Sequence, residues 1–93
     1  MRAQVEYGGR LRGVPALLRV RGYRFFFFSM EGREPPHIHV AHAGRYAKFW
    51  LEPVSVADVR GFRGHETTEI RDIEMEYANL FLGTWHEYFG GKS

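Results

Sequence analysis

The chain contains no cysteine. That excludes disulfide frameworks, thiolate zinc sites and cysteine nucleophiles, and it fits a reducing cytosol. No apolar run approaches the ~18–20 residues needed to cross a bilayer. The apolar stretches are too short and too often interrupted by arginine for a secretory signal. The expectation is a cytoplasmic protein without a membrane segment. Internal repeats and low-complexity segments are missing. So are a P-loop, a Rossmann glycine fingerprint, HExxH and a nucleophile elbow, and no cofactor is expected.

What is present is a single small domain's worth of chain rich in rings. The 93 residues include eight Phe, five Tyr and two Trp, 16% of the whole. Each ring buries roughly 150–250 Å², so a few of them fill a core that a short chain otherwise struggles to build. A hydrophobic share of 44% and a charged share of 26% are ordinary for a globule.

Charge is uneven along the chain. Residues 1–33 carry a balance of +5, residues 34–63 of +1 and residues 64–93 of −4, within a net charge of +2. Either the basic front and the acidic back pack together and partly neutralise each other, or a basic surface is offered to RNA or to an acidic partner.

Residues 1–13, with Tyr7-Gly8-Gly9-Arg10 and Arg12-Gly13, read as a flexible N-terminal extension, with a short edge strand over Ala3–Tyr7 as an option; 14–93 read as one domain. Strands are expected at Ala16–Arg21 and at Tyr23–Met30. The four consecutive Phe of the latter point to a central strand buried on both faces. Ser29–Pro36 is a loop. His37–His42 and Tyr46–Glu52 form a hairpin around Ala43-Gly44. Val54–Val59 reads as irregular or as a short strand.

One long helix is expected from about Glu66 to Phe89. Its core stripe is Ile70, Ile73, Tyr77, Leu80/Phe81, Trp85 and Tyr88, widened by Met75, Leu82 and Phe89. Gly83 is expected to let the helix approach the sheet. The fold class is α+β: a small antiparallel sheet of three to four strands with one long C-terminal helix packed across it.

The chemistry-bearing segment is Glu34-Pro35-Pro36-His37-Ile38-His39-Val40. Residues i and i+2 of a strand share a face, so His37 and His39 lie about 6.5–7 Å apart on one side. Two imidazoles so placed suit an acid/base pair, two ligands of a metal, phosphate contacts, or a hydrogen-bonded structural pair. A metal needs a third ligand. Glu34, His42 and Glu52 are the local suppliers, and they do not make a closed zinc set, so no metal site is committed. Lys48, Trp50 and Glu52 share one face of the returning strand. Arg24 and Lys48 are charges in otherwise packed strands, able to snorkel, to pair with a carboxylate or to hold a phosphate. Trp50 is a candidate to stack a base.

Several segments together resemble a bacterial family of small proteins catalogued as domain of unknown function 4160. They are Gly22-Tyr23-Arg24-Phe25-Phe26-Phe27, Ser29, the Glu34–Val40 run, Ala47-Lys48-Phe49-Trp50-Leu51-Glu52-Pro53, Arg60-Gly61-Phe62 and Trp85-His86-Glu87-Tyr88-Phe89. The likeness spans about Val14 to Gly90. It departs at the helix start, where Arg63 replaces the family's Ser in a Ser-x-x-Glu capping box; a frayed or shifted start is expected. The resemblance implies no established activity. It implies a small partner protein encoded alongside, in a toxin–antitoxin-like pair.

The expectation is therefore a small binding protein. Its hairpin face (His37, His39, Lys48 and Trp50) meets a partner protein or RNA, and Arg24 and Glu34 are further candidate binding residues. The alternatives are a metal-independent ribonuclease-like toxin with His37 and His39 as catalytic base and acid, and a metal-binding protein. An exposed strand edge and many rings also allow a homodimer.

Overall fold

The computed structural model describes residues 5–7, 16–28 and 33–90. Six strands run β1 (Val5–Tyr7), β2 (Ala16–Val20), β3 (Tyr23–Phe26), β4 (His37–His42), β5 (Arg45–Leu51) and β6 (Val54–Arg60), followed by the helices α1 (Gly64–Glu76) and α2 (Ala78–Trp85). Each strand pairs antiparallel with the next, so spatial order equals sequence order. The α+β class holds. The sheet is larger than the three to four strands expected, because Val54–Arg60 is a full strand and Val5–Tyr7 adds an edge. The remainder of residues 1–13 lies outside the described residues.

Tight turns set the register. Arg21 and Gly22 both have positive φ (53° and 88°), as do Ala43 and Gly44 (50° and 80°), the pairing that matches the twist of adjacent strands in a two-residue hairpin. The register then carries period-2 alternation unbroken from β2 to β5, apart from an irregularity between Ala16 and Leu18. Leu18, Phe25, Val40 and Ala47 line up across the sheet, and Ile38 faces Phe49. These residues form one core with Ile70, Ile73, Phe81 and Trp85. The Phe81 ring stacks on Phe25 at 5.5 Å, and Trp85 meets Phe27 edge-on at 5.3 Å.

The single long helix is corrected to two helices and a wide terminal turn over His86–Gly90. The break is at Tyr77 (φ −107°, ψ 17°). Its cause is legible in the stripe: Ile73, Tyr77, Phe81, Trp85 and Phe89 recur every four residues, whereas a helix turns every 3.6. Such a stripe winds about 40° further round the cylinder at each repeat. A loosened residue at Tyr77 and a wider last turn bring it back to the sheet. Four further expectations about the helix fail. Met75, Leu80 and Tyr88 are largely exposed, and a Cβ at Gly83 would meet open space, so Gly83 is not a point of close approach.

Helix α1 starts firmly. The Arg63 backbone N–H donates to Glu66 Oε1 at 2.9 Å, which preserves the carboxylate half of the capping box and holds the Glu66 carboxyl below its usual range. The basic front meets the acidic back through Arg21, whose Nη1 donates to Glu69 Oε2 at 2.7 Å. Arg45, from the middle of the chain, donates from Nη1 to Glu66 Oε2 at 2.9 Å. The Tyr23 hydroxyl donates to Glu69 Oε1 at 3.0 Å; burial, with that bond behind it, pushes its phenol up to about 12.

One group breaks the pattern. Glu74, on α1 one residue beyond Ile73, is 0% exposed, and neither carboxylate oxygen has a hydrogen-bond partner among the described residues. Burial alone pushes its carboxyl up to about 9, so it is a neutral acid at pH 7.

Candidate functional site

The helices cover one face of the sheet. The opposite, open face is read directly from the strand register as rows of neighbouring side chains. One row is Arg19, Arg24, Ala41, Tyr46 and Arg60, from β2 across to β6. The next is Phe26, His39, Lys48 and Asp58. The last is His37, Trp50 and Ser55, with Phe28 continuing the parity of β3.

Rings and cations alternate over this surface. The Arg24 guanidinium lies 4.7 Å from the Phe26 centroid, Lys48 Nζ 4.8 Å from that of Trp50, and the Arg60 guanidinium 5.8 Å from that of Tyr46. Such pairs hold a cation against the negative face of a ring; Tyr46 and Trp50 are half-buried, while Phe26 is buried beneath its arginine. Lys48 also donates to Glu34 Oε1 at 2.7 Å, and Arg60 to Asp58 at 3.0 Å. Arg24 meets no carboxylate among the described residues; its guanidinium rests on Phe26.

The two histidines lie beneath this layer. His37 is 0% and His39 2% exposed. Their rings are 5.1 Å apart, edge to face. His37 Nδ1–H donates to the Pro35 carbonyl at 3.0 Å, and Glu34 Oε1 stands 3.7 Å from the same nitrogen. His39 Nδ1 hydrogen-bonds the Tyr46 hydroxyl at 2.7 Å. The His39 ring is also packed by Phe26 at 5.5 Å and Phe28 at 4.4 Å, and Trp85 approaches His37 at 4.9 Å. The pair therefore joins the ring layer of the open face to the end of α2.

Sequence reasoning placed Glu34, Lys48 and Trp50 with the histidines, and they lie together there; Arg24 stands one row away, opposite Ala41 and over Phe26. Lys48 pairs with Glu34, where Glu52 was one option. Glu52 is exposed in the turn after β5, and His42 sits at the far end of β4 with its Nδ1–H donating to Gly22 O at 2.8 Å. No group of three His, Cys, Asp or Glu among the described residues could hold a metal. Tyr46, Arg60, Phe26 and Phe28 were not singled out. The parity of 46, 48 and 50 would have found Tyr46; Arg60 needed the register of a strand that sequence left undecided.

Chemically the face offers ring planes, three cations held over rings, and one exposed apolar ring, Phe28, at 38%. No helix among the described residues is long and apolar enough to cross a membrane. No curated protein and no solved structure matches the chain. The family model described as Domain of unknown function (DUF4160) matches residues 22–86, well over half of the sequence, and the chain belongs to that family.

Proposed function

We propose that the open face of the sheet binds single-stranded nucleic acid, RNA in the first place. The observation that carries this reading is the set of three cation-over-ring pairs, Arg24–Phe26, Lys48–Trp50 and Arg60–Tyr46, spread over β3, β5 and β6 on the face opposite the helices. Single strands are held by rings on which bases stack and by cations that track the phosphates. The acidic residues concentrate on α1, where Glu66 and Glu69 are turned to Arg45 and Arg21. A polyanion is therefore directed to the sheet and away from the helices.

Burial of His37 and His39 speaks against the alternative in which they act as base and acid on RNA. A general base must come within hydrogen-bond reach of the proton that it takes, and both rings lie under Phe26, Phe28, Trp50 and Tyr46. Their role in this reading is to fix the ring layer. The toxin–antitoxin-like pairing implied by the family resemblance fits a protein that engages RNA and is held in check by a partner.

The test is fluorescence anisotropy with labelled single strands of about ten nucleotides, at about 50 and about 200 mM salt. Binding should weaken as salt rises. Trp50→Ala should weaken it by about 5- to 100-fold, the range for losing one stacked base. Failure of any single strand to bind at the lower salt overturns the reading.

A further inference from the structure

Two of the three cations held over rings on the open face also carry a carboxylate. Lys48 Nζ, over Trp50, donates to Glu34 Oε1 at 2.7 Å, and Arg60 Nε, beside Tyr46, donates to Asp58 Oδ2 at 3.0 Å. The two pairs are not equal. Arg60 and Asp58 lie two residues apart on one strand, and the arginine side chain is 74% exposed; water screens a pair of that kind and little is gained from it. The Lys48 side chain is only 21% exposed, held between the indole and the Glu34 carboxylate. Asp58 stands directly opposite Lys48 across the β5–β6 ladder, whereas Glu34 comes from the segment that leads into β4.

That segment is fastened where Glu34 needs it. Pro35 and Pro36 follow, each with its φ fixed by the ring. The Pro35 carbonyl accepts from Nδ1–H of the fully buried His37 at 3.0 Å, and the Pro36 carbonyl accepts from the Leu51 N–H at 3.0 Å. The first bond ties the segment to the start of β4 and the second to the end of β5. Glu34 Oε1 itself stands 3.7 Å from the same His37 nitrogen. A carboxylate on so anchored a segment gives up little further freedom when it pairs with Lys48. The contact is thus better placed than an ordinary surface ion pair.

We propose that Glu34 guards the open face: its carboxylate takes the place of a strand phosphate on Lys48, and a strand must displace it to bind across Trp50. The proposal rests on the reading of that face as a nucleic-acid surface. A carboxylate and a phosphate oxygen accept the same charge-assisted hydrogen bond from an ammonium, so the two compete for one donor. The guard therefore raises the threshold for every polyanion at the Trp50 end of the sheet. A chain of bare phosphates has only ionic contacts with which to pass it, whereas a strand with bases adds stacking on the indole. Arg24, which meets no carboxylate among the described residues, imposes no such threshold.

The test uses the intact chain and labelled single strands of about ten nucleotides, with an abasic strand of the same length beside them, at about 50 mM salt. Glu34→Gln keeps the shape of the side chain and removes its charge; an amide NMR spectrum checks that the fold is unchanged. Affinity for both kinds of strand should rise by about threefold or more, and the gain should shrink at about 200 mM salt. Asp58→Asn, which leaves the more exposed pair without its carboxylate, should change affinity by less than about twofold. In a Lys48→Gln background, Glu34→Gln should no longer raise affinity, because the cation that it guards is gone.

Strands that bind the unaltered chain at least as tightly as they bind Glu34→Gln overturn the guard and leave the open face intact. A gain that persists undiminished in the Lys48→Gln background also overturns it, since Glu34 then acts by general repulsion and not through Lys48. No strand bound by either the unaltered chain or Glu34→Gln overturns the open face, and the guard with it.

Discussion

The two faces of the sheet are built from the same residue classes and differ in what covers them. Behind the covered face, Phe25, Val40, Ala47 and Phe49 meet Ile70, Ile73 and Phe81, and nearly every side chain is apolar. On the open face Phe26 is as buried as Tyr23 on the covered one, at 5% exposure each. Its cover is Arg24, His39 and Phe28 from the same layer. The covered face is buried by a second layer of structure; the open face buries itself under its own rings and cations. A face of the second kind retains an outer surface of guanidinium, ammonium and indole, and can exchange those partners for a ligand without unfolding the core.

The largest expected effect is the loss of a covered-face ring. Phe81 is fully buried and stacked on Phe25. Phe81→Ala should cost about 3–5 kcal/mol of stability, measured by urea unfolding. Trp50 is half-buried over His37, so Trp50→Ala should cost clearly less, about 1–2 kcal/mol, while removing most of the oligonucleotide affinity. Equal losses of stability in the two variants would break the comparison.

Next comes Glu74, the polar exception on the covered side. Its carboxyl is raised from about 4.5 to about 9 by burial. A carboxyl raised on folding supports the folded state fully below its unfolded pKa, and that support is lost as pH rises through the folded pKa. At pH 7 the lost support amounts to about 3 kcal/mol. Stability should therefore fall from about pH 5 toward pH 9, and Glu74→Gln should flatten that slope and raise the melting temperature at pH 8. A slope unchanged in Glu74→Gln would show that the carboxyl is not sealed in.

Much of this division was legible in the sequence. Alternation through Ile38, Val40, Ala47, Phe49 and Leu51, all buried, assigns the covered face, because a strand's period is 2 whatever lies beyond it. Lys48 and Trp50 were placed with the histidines by the same parity, and Glu34 by its closeness to them in the sequence. Two things were not legible. The helix break at Tyr77 arises from a drift of the apolar stripe that shows only when it is followed over several turns. The meeting of the β2–β3 and β4–β5 turns, where His42 Nδ1–H donates to the Gly22 carbonyl and Tyr23 packs on its ring, joins residues about twenty apart, and only the register of β3 and β4 brings them together.

A smaller effect tests whether the open face is a packed layer. Tyr46→Phe deletes the hydroxyl that bonds His39 Nδ1 at 2.7 Å. The cost should be about 1 kcal/mol, the usual scale of one internal hydrogen bond. The phenyl ring still offers its plane to Arg60, so oligonucleotide affinity should change by less than about threefold. A much larger fall in affinity than in stability would make the hydroxyl itself a ligand contact.

The smallest effect belongs to the rim where the two layers meet. Glu69 accepts from Arg21 and from Tyr23. The Arg21 bond, followed by that of Tyr23, holds its carboxyl below the usual range. That contribution is present above the carboxyl's unfolded pKa and is lost as pH falls through the folded one. The pair is substantially exposed, so Glu69→Gln should cost well under about 1 kcal/mol and nothing in high salt. Its clearer signature is local: with the carboxylate gone, the Tyr23 phenol should titrate below its present value of about 12, followed through its ring resonances. It should still lie above an ordinary phenol, because burial is the larger cause and the substitution leaves it in place. A full return to the ordinary value would mean that Glu69, and not the covering layer, shields this end of the sheet.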